Sequence, residues 1–306
     1  MIQGKKKFFK KPTKSKPEFQ YYAVKENIEL MSFLLQTFSG KSRDNIKSLL
    51  KKKLIEVDGR VETKFNFPLT AGQKVTLRPK SGSVEQKKYT GVEIVFEDKD
   101  LIVINKDAGL LTIANNKETK KTAYAILSEH VKKKNKDNKI FIVHRLDRET
   151  SGLLLFAKSE EIKTKLQENW NDTILERTYL ALVEGKLEKP QGVYVSYLVE
   201  SPSSLLVHSS KNSAKGQKAV THYKTIVSKR GVSLMEVNLE TGRKNQIRVH
   251  FQDLKHPVVG DKKYGATNHS LGRLGLHAKV LAFTHPKTGK VVRFESETPK
   301  KFLKLL

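Results

Sequence analysis

The sequence predicts an α+β chain: a small N-terminal α/β domain, then a larger domain built on a mixed, mainly antiparallel sheet. Three observations predict it. A chain of 306 residues suggests two domains rather than one core. Two short amphipathic helix patterns and a few strand patterns are gathered before residue 80, whereas strand patterns with turn signals dominate after residue 90. Between them Pro79 to Lys88 (PKSGSVEQKK) is polar and carries Pro, Gly and Ser, which places a linker at 81–90 and the larger domain at 91–306.

The elements follow in order. Residues 1–17 carry Lys5, Lys6, Lys7, Lys10, Lys11, Lys14 and Lys16 without an acid, so a disordered basic tail is expected over 1–18. The small domain, 19–80, opens with a helix pattern from Ile28 to Phe38, apolar at Ile28, Met31, Leu34, Leu35 and Phe38 and ended by Gly40. Ser42 can cap a second helix, Arg43 to Lys53. Its apolar stripe is Ile46, Leu49 and Leu50, and Arg43, Lys47 and Lys51 lie off that stripe. Ile55 to Val61 holds Asp58-Gly59, a strong hairpin signal because both residue types accept positive φ. Leu69 to Leu77 predicts a last strand with a turn at Ala71-Gly72.

The larger domain begins with a hairpin, Val92 to Glu97 against Leu101 to Ile104. Lys106 to Leu111 reads as a turn, Thr122 to Val131 as a helix and Lys132 to Lys139 as a basic loop. Ile140 to Ser159 (IFIVHRLDRETSGLLLFAKS) is the centre of the chain. Two apolar runs, Ile140 to Val143 and Leu153 to Ala157, flank a dense group of ionisable residues that ends at Gly152. Charge at the end of buried strands is either a paired network or a site. Read alone, Asp147 is a turn acid paired with Arg145 or Arg148. Ile162, Leu166 and Trp170 then mark an amphipathic helix, and Arg177 to Val183 a strand containing Tyr179. Val193 to Lys215 suggests loops around one strand. His222 to Val227 and Val232 to Leu239 predict a hairpin over Lys229-Arg230-Gly231, and Thr241 to His250 a turn followed by a polar segment. Leu274 to His285 leads into a turn at 286–289 and a last strand, Val291 to Glu295.

Charge points to the partner. Lys+Arg 59 against Asp+Glu 32 gives a net charge of +27, which favours a polyanion and most simply nucleic acid. No apolar run approaches the ~20 residues that span a bilayer, so no membrane partner is expected. The basic N-terminus has no apolar segment behind it, and cytoplasmic residence is the expectation. Cysteine is absent, which excludes disulfides and thiolate metal sites, and the nine histidines show no close ligand spacing, so no metal is expected. There is no Walker loop, dinucleotide glycine pattern or GxSxG.

Two resemblances sharpen this reading. Residues 26–79, through SRDNIKSLL and VDGRV, resemble the compact RNA-binding domain first known from a ribosomal small-subunit protein, the S-four domain. The resemblance implies phosphate contacts from Arg43, Lys47 and Lys51. HRLDRETSGLLLFAKS, RTYLALVEG, TGRKNQIRVH, HPVVGDKKYG and LHAKVLAFTHPKTG follow one another in an order that closely resembles the RluA-type pseudouridine synthases, over roughly residues 90–306. Two positions depart from that pattern: Lys106-Asp107 stands where Lys-Pro is usual, and Lys244-Asn245 where Thr-His is commoner.

The second resemblance implies a pseudouridine synthase fold and isomerisation of RNA uridines, most simply in large-subunit ribosomal RNA. Transfer RNA as substrate, or a non-catalytic ribosome assembly factor, are the alternatives. It implies Asp147 as nucleophile, Tyr179 as a platform on the uracil that helps remove the proton at carbon 5, and Arg248 as the partner of Asp147. Arg145 would fill the gap left by the uridine, and Ile247 would pack on the base. His144 and Arg243, in the same motifs, are expected to contact substrate. Nothing is oxidised and no group is donated, so the resemblance implies no cofactor, and a monomer is expected. Asp261, after a glycine in a turn, reads as structural.

Overall fold

The computed structural model describes residues 20–51, 54–77, 88–114, 118 and 121–306. The expected basic tail and residues 81–87 of the expected linker lie outside them. The chain divides into two compact units, Met1–Ser81 and Gly82–Leu306. Among the described residues no helix is long and apolar enough to cross a membrane.

The first unit runs β1 (Gln20–Ala23), β2 (Ile28–Glu29), α1 (Leu30–Thr37), α2 (Arg43–Lys51), β3 (Ile55–Val57), β4 (Arg60–Val61), β5 (Pro68–Leu69) and β6 (Lys74–Leu77). Its sheet has the order β1-β6-β3-β4, with β2 and β5 paired separately. Leu30 and Leu34 of α1 pack with Ile46, Leu49 and Leu50 of α2 over Ile55 and Val75. Ser42 Oγ accepts the Asn45 N–H at 3.3 Å, the cap its position predicts. Asp58 (φ 49°) and Gly59 (φ 80°) form the two-residue hairpin turn. The first helix begins two residues later than its apolar pattern, because Ile28 is drawn into a ladder with Leu69. Leu69 therefore belongs to β5 and not to the last strand.

The second unit continues with β7 (Lys88–Tyr89), β8 (Val92–Glu97), β9 (Leu101–Lys106), α3 (Ala123–Lys132), β10 (Phe141–Ile142), β11 (Ser151–Ala157), α4 (Glu160–Glu168), α5 (Trp170–Thr173) and β12 (Ile174–Glu184). It ends with β13 (Gln191–Glu200), β14 (Val207–Ser210), β15 (Gln217–Lys229), β16 (Val232–Leu239), α6 (Gln246–Asp253), β17 (Leu276–Thr284), β18 (Val291–Glu295) and α7 (Lys300–Leu305). A 12-stranded sheet has the order β14-β13-β15-β16-β12-β17-β11-β9-β8-β7, with β10 added to β11 and β18 to β17. Its named pairings are antiparallel except β11 with β17, which run parallel and touch only at Ser151–His277 and Gly152–Ala278. The two halves of the sheet meet there.

Helices cover both faces, which is why β11 reads as an unbroken apolar run. Leu154 and Phe156 pack under α3, while Leu153 and Leu155 face α4. On the other half, Ala181 and Val183 face α6, and Leu180 and Leu182 face Phe302 of α7. Tyr179 packs against both the α3 and the α6 clusters, so it sits where the halves join. Gly152 is no turn residue but lies inside β11. At φ 114° a Cβ there would come within 2.2 Å of the Ala278 carbonyl oxygen, so only glycine lets β17 approach.

Three expectations need correction. Residues 88 and 89 of the expected linker are strand β7. Val193 to Lys215 holds most of β13 and all of β14, paired to each other; β13 exposes Val193 and Val195 and buries Ser196, so its alternation of polar and apolar residues does not follow burial. The polar segment after Thr241 is helix α6, whose buried residues include Gln246 and His250. Gln246 is satisfied by Val220 and Thr221, and His250 by Ser196 and Thr221. Internal hydrogen bonding thus hid the apolar period.

Candidate active site

The loop between β10 and β11 is laced to the turn after β9. Lys106 is the last residue of β9, not a turn residue, and is fully buried. Its Nζ donates to the carbonyls of Asp107 at 2.9 Å, Leu110 at 2.7 Å and Arg148 at 3.2 Å. The Gly109 N–H also donates to the Arg148 carbonyl, and Arg148 Nε returns a bond to the Gly109 carbonyl. On the other side Thr112 Oγ1 donates to the Leu146 carbonyl and accepts the Leu146 N–H. Asp147 is the residue between these two anchored peptides. Burial pulls the Lys106 ammonium down to about 8, and Arg273 adds to this while Glu149, Asp147 and Asp107 oppose it. No sequence signal short of the Lys106 position at a strand end would have found this clamp.

Asp147 opens onto a cavity of about 930 Å³ lined also by Arg145, Arg177, Tyr179, Ile247 and Arg248. Burial raises the Tyr179 phenol above its ordinary value, Arg177 opposes this and Asp147 adds to it. The phenol is therefore neutral at neutral pH and presents a ring face and one O–H. Arg177 lies over Trp170 at 5.3 Å and donates to the Leu239 carbonyl at 3.4 Å. Ile247 is buried beside Tyr179 in the α6 cluster.

Arg248 makes the ion pair with Asp147 expected from the sequence, but a looser one than its pair with Asp261. Its Nε and Nη2 donate to Asp261 Oδ2 and Oδ1 at 2.6 and 2.7 Å, whereas Nη1 stands 3.6 Å from Asp147 Oδ2. The reason is burial: the Asp261 side chain is 0% exposed and needs a cation, while Asp147 is 31% exposed and reaches water.

The other expected residues divide. Arg145 is exposed, lines the cavity and bonds to none of the described residues, so it is free to move into a substrate. Arg243 lies on the rim, with Nε donating to the Lys218 carbonyl. His144 lines the cavity, but its Nε2 accepts the Leu155 N–H at 3.2 Å and its ring packs on Trp170. Burial, helped by Arg177, lowers its pKa to about 3. It is a neutral loop fastener rather than a charged contact. Arg43, Lys47 and Lys51 are exposed along one side of α2. Among the described residues one group, Asp98, Asp100 and His285, brings ligand atoms within 4.8 Å. Hydrogen bonds account for it: Asp98 accepts from the Asp100 and Leu101 N–H groups and from His285 Nε2, and His285 Nδ1 accepts from Lys287 and Thr288.

Known proteins match this architecture. The family described as RNA pseudouridylate synthase matches residues 100–253, which hold the clamped loop, Tyr179 and Arg248. The chain is 33% identical over 281 residues to "Uncharacterized RNA pseudouridine synthase YhcT" of Bacillus subtilis, covering 90% of this chain and 91% of that protein. It is 33% identical over 293 residues to ribosomal large subunit pseudouridine synthase D of Nitrosomonas europaea, covering 91% and 83%. Human RNA pseudouridylate synthase domain containing 4 superposes with a TM-score of 0.57 at 25% identity, over 69% of this chain and 90% of that one. With the matching segment centred on the cavity and relatives aligned along nearly the whole chain, this protein belongs to the RNA pseudouridylate synthase family and isomerises uridine to pseudouridine in RNA.

Proposed function

We propose that the enzyme modifies uridines of large-subunit ribosomal RNA, with Asp147 as its nucleophile. One observation carries the assignment: the only carboxylate fastened between two anchored peptides at the cavity wall, among the described residues that line it, is Asp147, and it faces Tyr179, Ile247 and Arg248 across that cavity. Two relatives named ribosomal large subunit pseudouridine synthase D support the ribosomal target. The exposed stripe of Arg43, Lys47 and Lys51 on α2 supports a phosphate-contacting role for the first unit.

The chemistry follows from the residues. The target uridine leaves its stack, at a cost of a few kcal/mol, and enters the cavity. Tyr179, held neutral, offers its ring to the uracil, a contact worth roughly 1–3 kcal/mol. The free guanidinium of Arg145 fills the space the base has left. Asp147 forms a bond to the nucleotide, the bond from uracil nitrogen to the anomeric carbon breaks, the base turns, carbon 5 bonds to the same anomeric carbon, and the bond to Asp147 breaks to regenerate the free carboxylate. The hydrogen on carbon 5 is lost as a proton, and the released nitrogen gains one. No electron or group is taken from a co-reactant, so the cycle runs on one chain without cofactor. Pseudouridine mapping of RNA from cells lacking the protein tests the target. Loss at a large-subunit site, restored by the wild-type chain, is expected; loss confined to transfer RNA would overturn the ribosomal assignment.

A further inference from the structure

Asp261 lies outside the cavity lining and Asn245 on it, and together they determine where Arg248 stands. Asp261 Oδ1 accepts from Arg248 Nη2 at 2.7 Å and from the Lys263 and Tyr264 N–H groups at 3.1 and 3.2 Å, while Oδ2 accepts from Arg248 Nε at 2.6 Å. Asn245 Oδ1 accepts from Arg248 Nη1 at 3.0 Å. Its Nδ2 donates to the Tyr264 hydroxyl at 2.9 Å, and the Tyr264 ring lies 4.8 Å from the guanidinium. Asn245 precedes α6 with φ 56°, a left-handed conformation that asparagine tolerates better than most residues. Of the five N–H bonds of the guanidinium, three are thus assigned to Asp261 and Asn245. One N–H of Nη1 remains for Asp147, at the looser 3.6 Å.

The arrangement has a chemical consequence. A lone arginine beside a carboxylate closes into a bidentate pair, which engages both carboxylate oxygens. A nucleophilic carboxylate needs an oxygen free. Here the positive charge is already balanced by a buried acid, so Arg248 is close enough to orient Asp147 but is held from closing on it. We propose that Asp261 and Asn245 are positioning residues of the isomerisation, holding a charge-balanced Arg248 at a standoff that leaves Asp147 free to attack. This rests on Asp147 being the nucleophile. Asn245 occupies a position where the sequence departs from the RluA-type pattern, so the amide contact is a feature of this chain.

Two variants test it in the full-length protein. Asp261→Asn removes the charge and sets an amide N–H against an arginine N–H. Asn245→Gly keeps the left-handed backbone and removes only the side-chain contacts. Single-turnover rate at saturating ribosomal RNA transcript and the Kd for that transcript are measured separately. The rate is expected to fall about 100-fold in Asp261→Asn, the scale of a misplaced catalytic group. It is expected to fall about tenfold in Asn245→Gly, the scale of one charged hydrogen bond. Kd should stay within about twofold in both, because phosphate contacts dominate affinity. A crystal structure of Asp261→Asn should show Arg248 bidentate with Asp147. If Asp261→Asn does not fold, Asn245→Gly decides alone. A folded variant with the wild-type rate overturns the proposal, as does a rate that falls only in step with affinity, which would place these residues on RNA. Asp147→Asn in the same assay reads the underlying assignment: if it is inactive while both positioning variants run at full rate, the nucleophile stands and this inference alone fails.

Discussion

Replacing Lys106 by Met should loosen the loop that carries Asp147 and leave a characteristic pH signature. Burial depresses this ammonium from 10.5 to about 8, a cost of about 3 kcal/mol at neutral pH. The Met variant escapes that cost but strands the carbonyls of Asp107, Leu110 and Arg148, at about 1–3 kcal/mol each. The Gly109 N–H still reaches the Arg148 carbonyl, so the low end applies there. The balance is a net destabilisation of up to about 4 kcal/mol at pH 7. Turnover should fall about 100-fold, because Arg148 neighbours Asp147. The sign of the pH effect is set by the depressed value: between about 8 and 10.5 the unfolded chain holds a proton that the folded chain has released, so stability from this group rises with pH across that window. Urea unfolding of both proteins at pH 7 and pH 10 reads this directly. Wild type should gain on Lys106→Met by up to about 3 kcal/mol over that interval. A gap that does not change with pH, or a variant with wild-type turnover, would refute the clamp.

Three further outcomes follow from the same structure. Burial alone would raise the Glu97 carboxyl, but hydrogen bonds from Lys158 and His130, with the Lys158 charge, overcome it and hold it at about 2. Its contribution of about 3 kcal/mol should be present above about pH 4.5 and vanish as pH falls toward 2, so Glu97→Gln should lower Tm at pH 7 and scarcely at pH 2.5. Gly152→Ala should destabilise by at least about 3 kcal/mol, since the new methyl meets the Ala278 carbonyl at 2.2 Å and the backbone is at φ 114°; a well-folded, active Gly152→Ala protein would contradict the close β11–β17 approach. Replacing Arg43, Lys47 and Lys51 together by Gln should reduce the slope of log affinity against log salt by about 0.9 for each phosphate no longer neutralised, while an unchanged slope would remove α2 from the RNA interface.

Much of this was legible in the residues, and the failures share a cause. Asp58-Gly59 specified its hairpin because few residue pairs accept two positive φ values. The run Leu153 to Ala157 announced a strand buried on both faces because packing leaves no polar side. Asp147, Tyr179, Ile247 and Arg248 were named from motifs, and the fold brings all four to one cavity. What escaped were polar groups buried with their partners inside. Gln246 and His250 look like surface residues in a one-dimensional reading, yet both lie on the buried face of α6 and bond across the chain to Val220, Thr221 and Ser196. Lys106 looked like a turn because lysine is seldom buried, and the three carbonyls that make its burial possible come from distant or irregular segments. The choice of Arg248 between Asp147 and Asp261 depends on which acid is deprived of water, and burial is a property of the fold.

The most direct test of the account is pseudouridine formation by Asp147→Asn. The substitution keeps size and hydrogen-bonding reach but removes charge and nucleophile. Arg248 retains its bidentate bond to Asp261, so the variant should fold with little change in Tm. Wild type and variant are compared on ribosomal RNA transcripts by single-turnover pseudouridine quantification, with RNA affinity measured alongside. The account predicts pseudouridine with the wild type and none detectable with Asp147→Asn, at RNA affinities within about twofold of each other. Formation of pseudouridine by Asp147→Asn at the wild-type rate would contradict it.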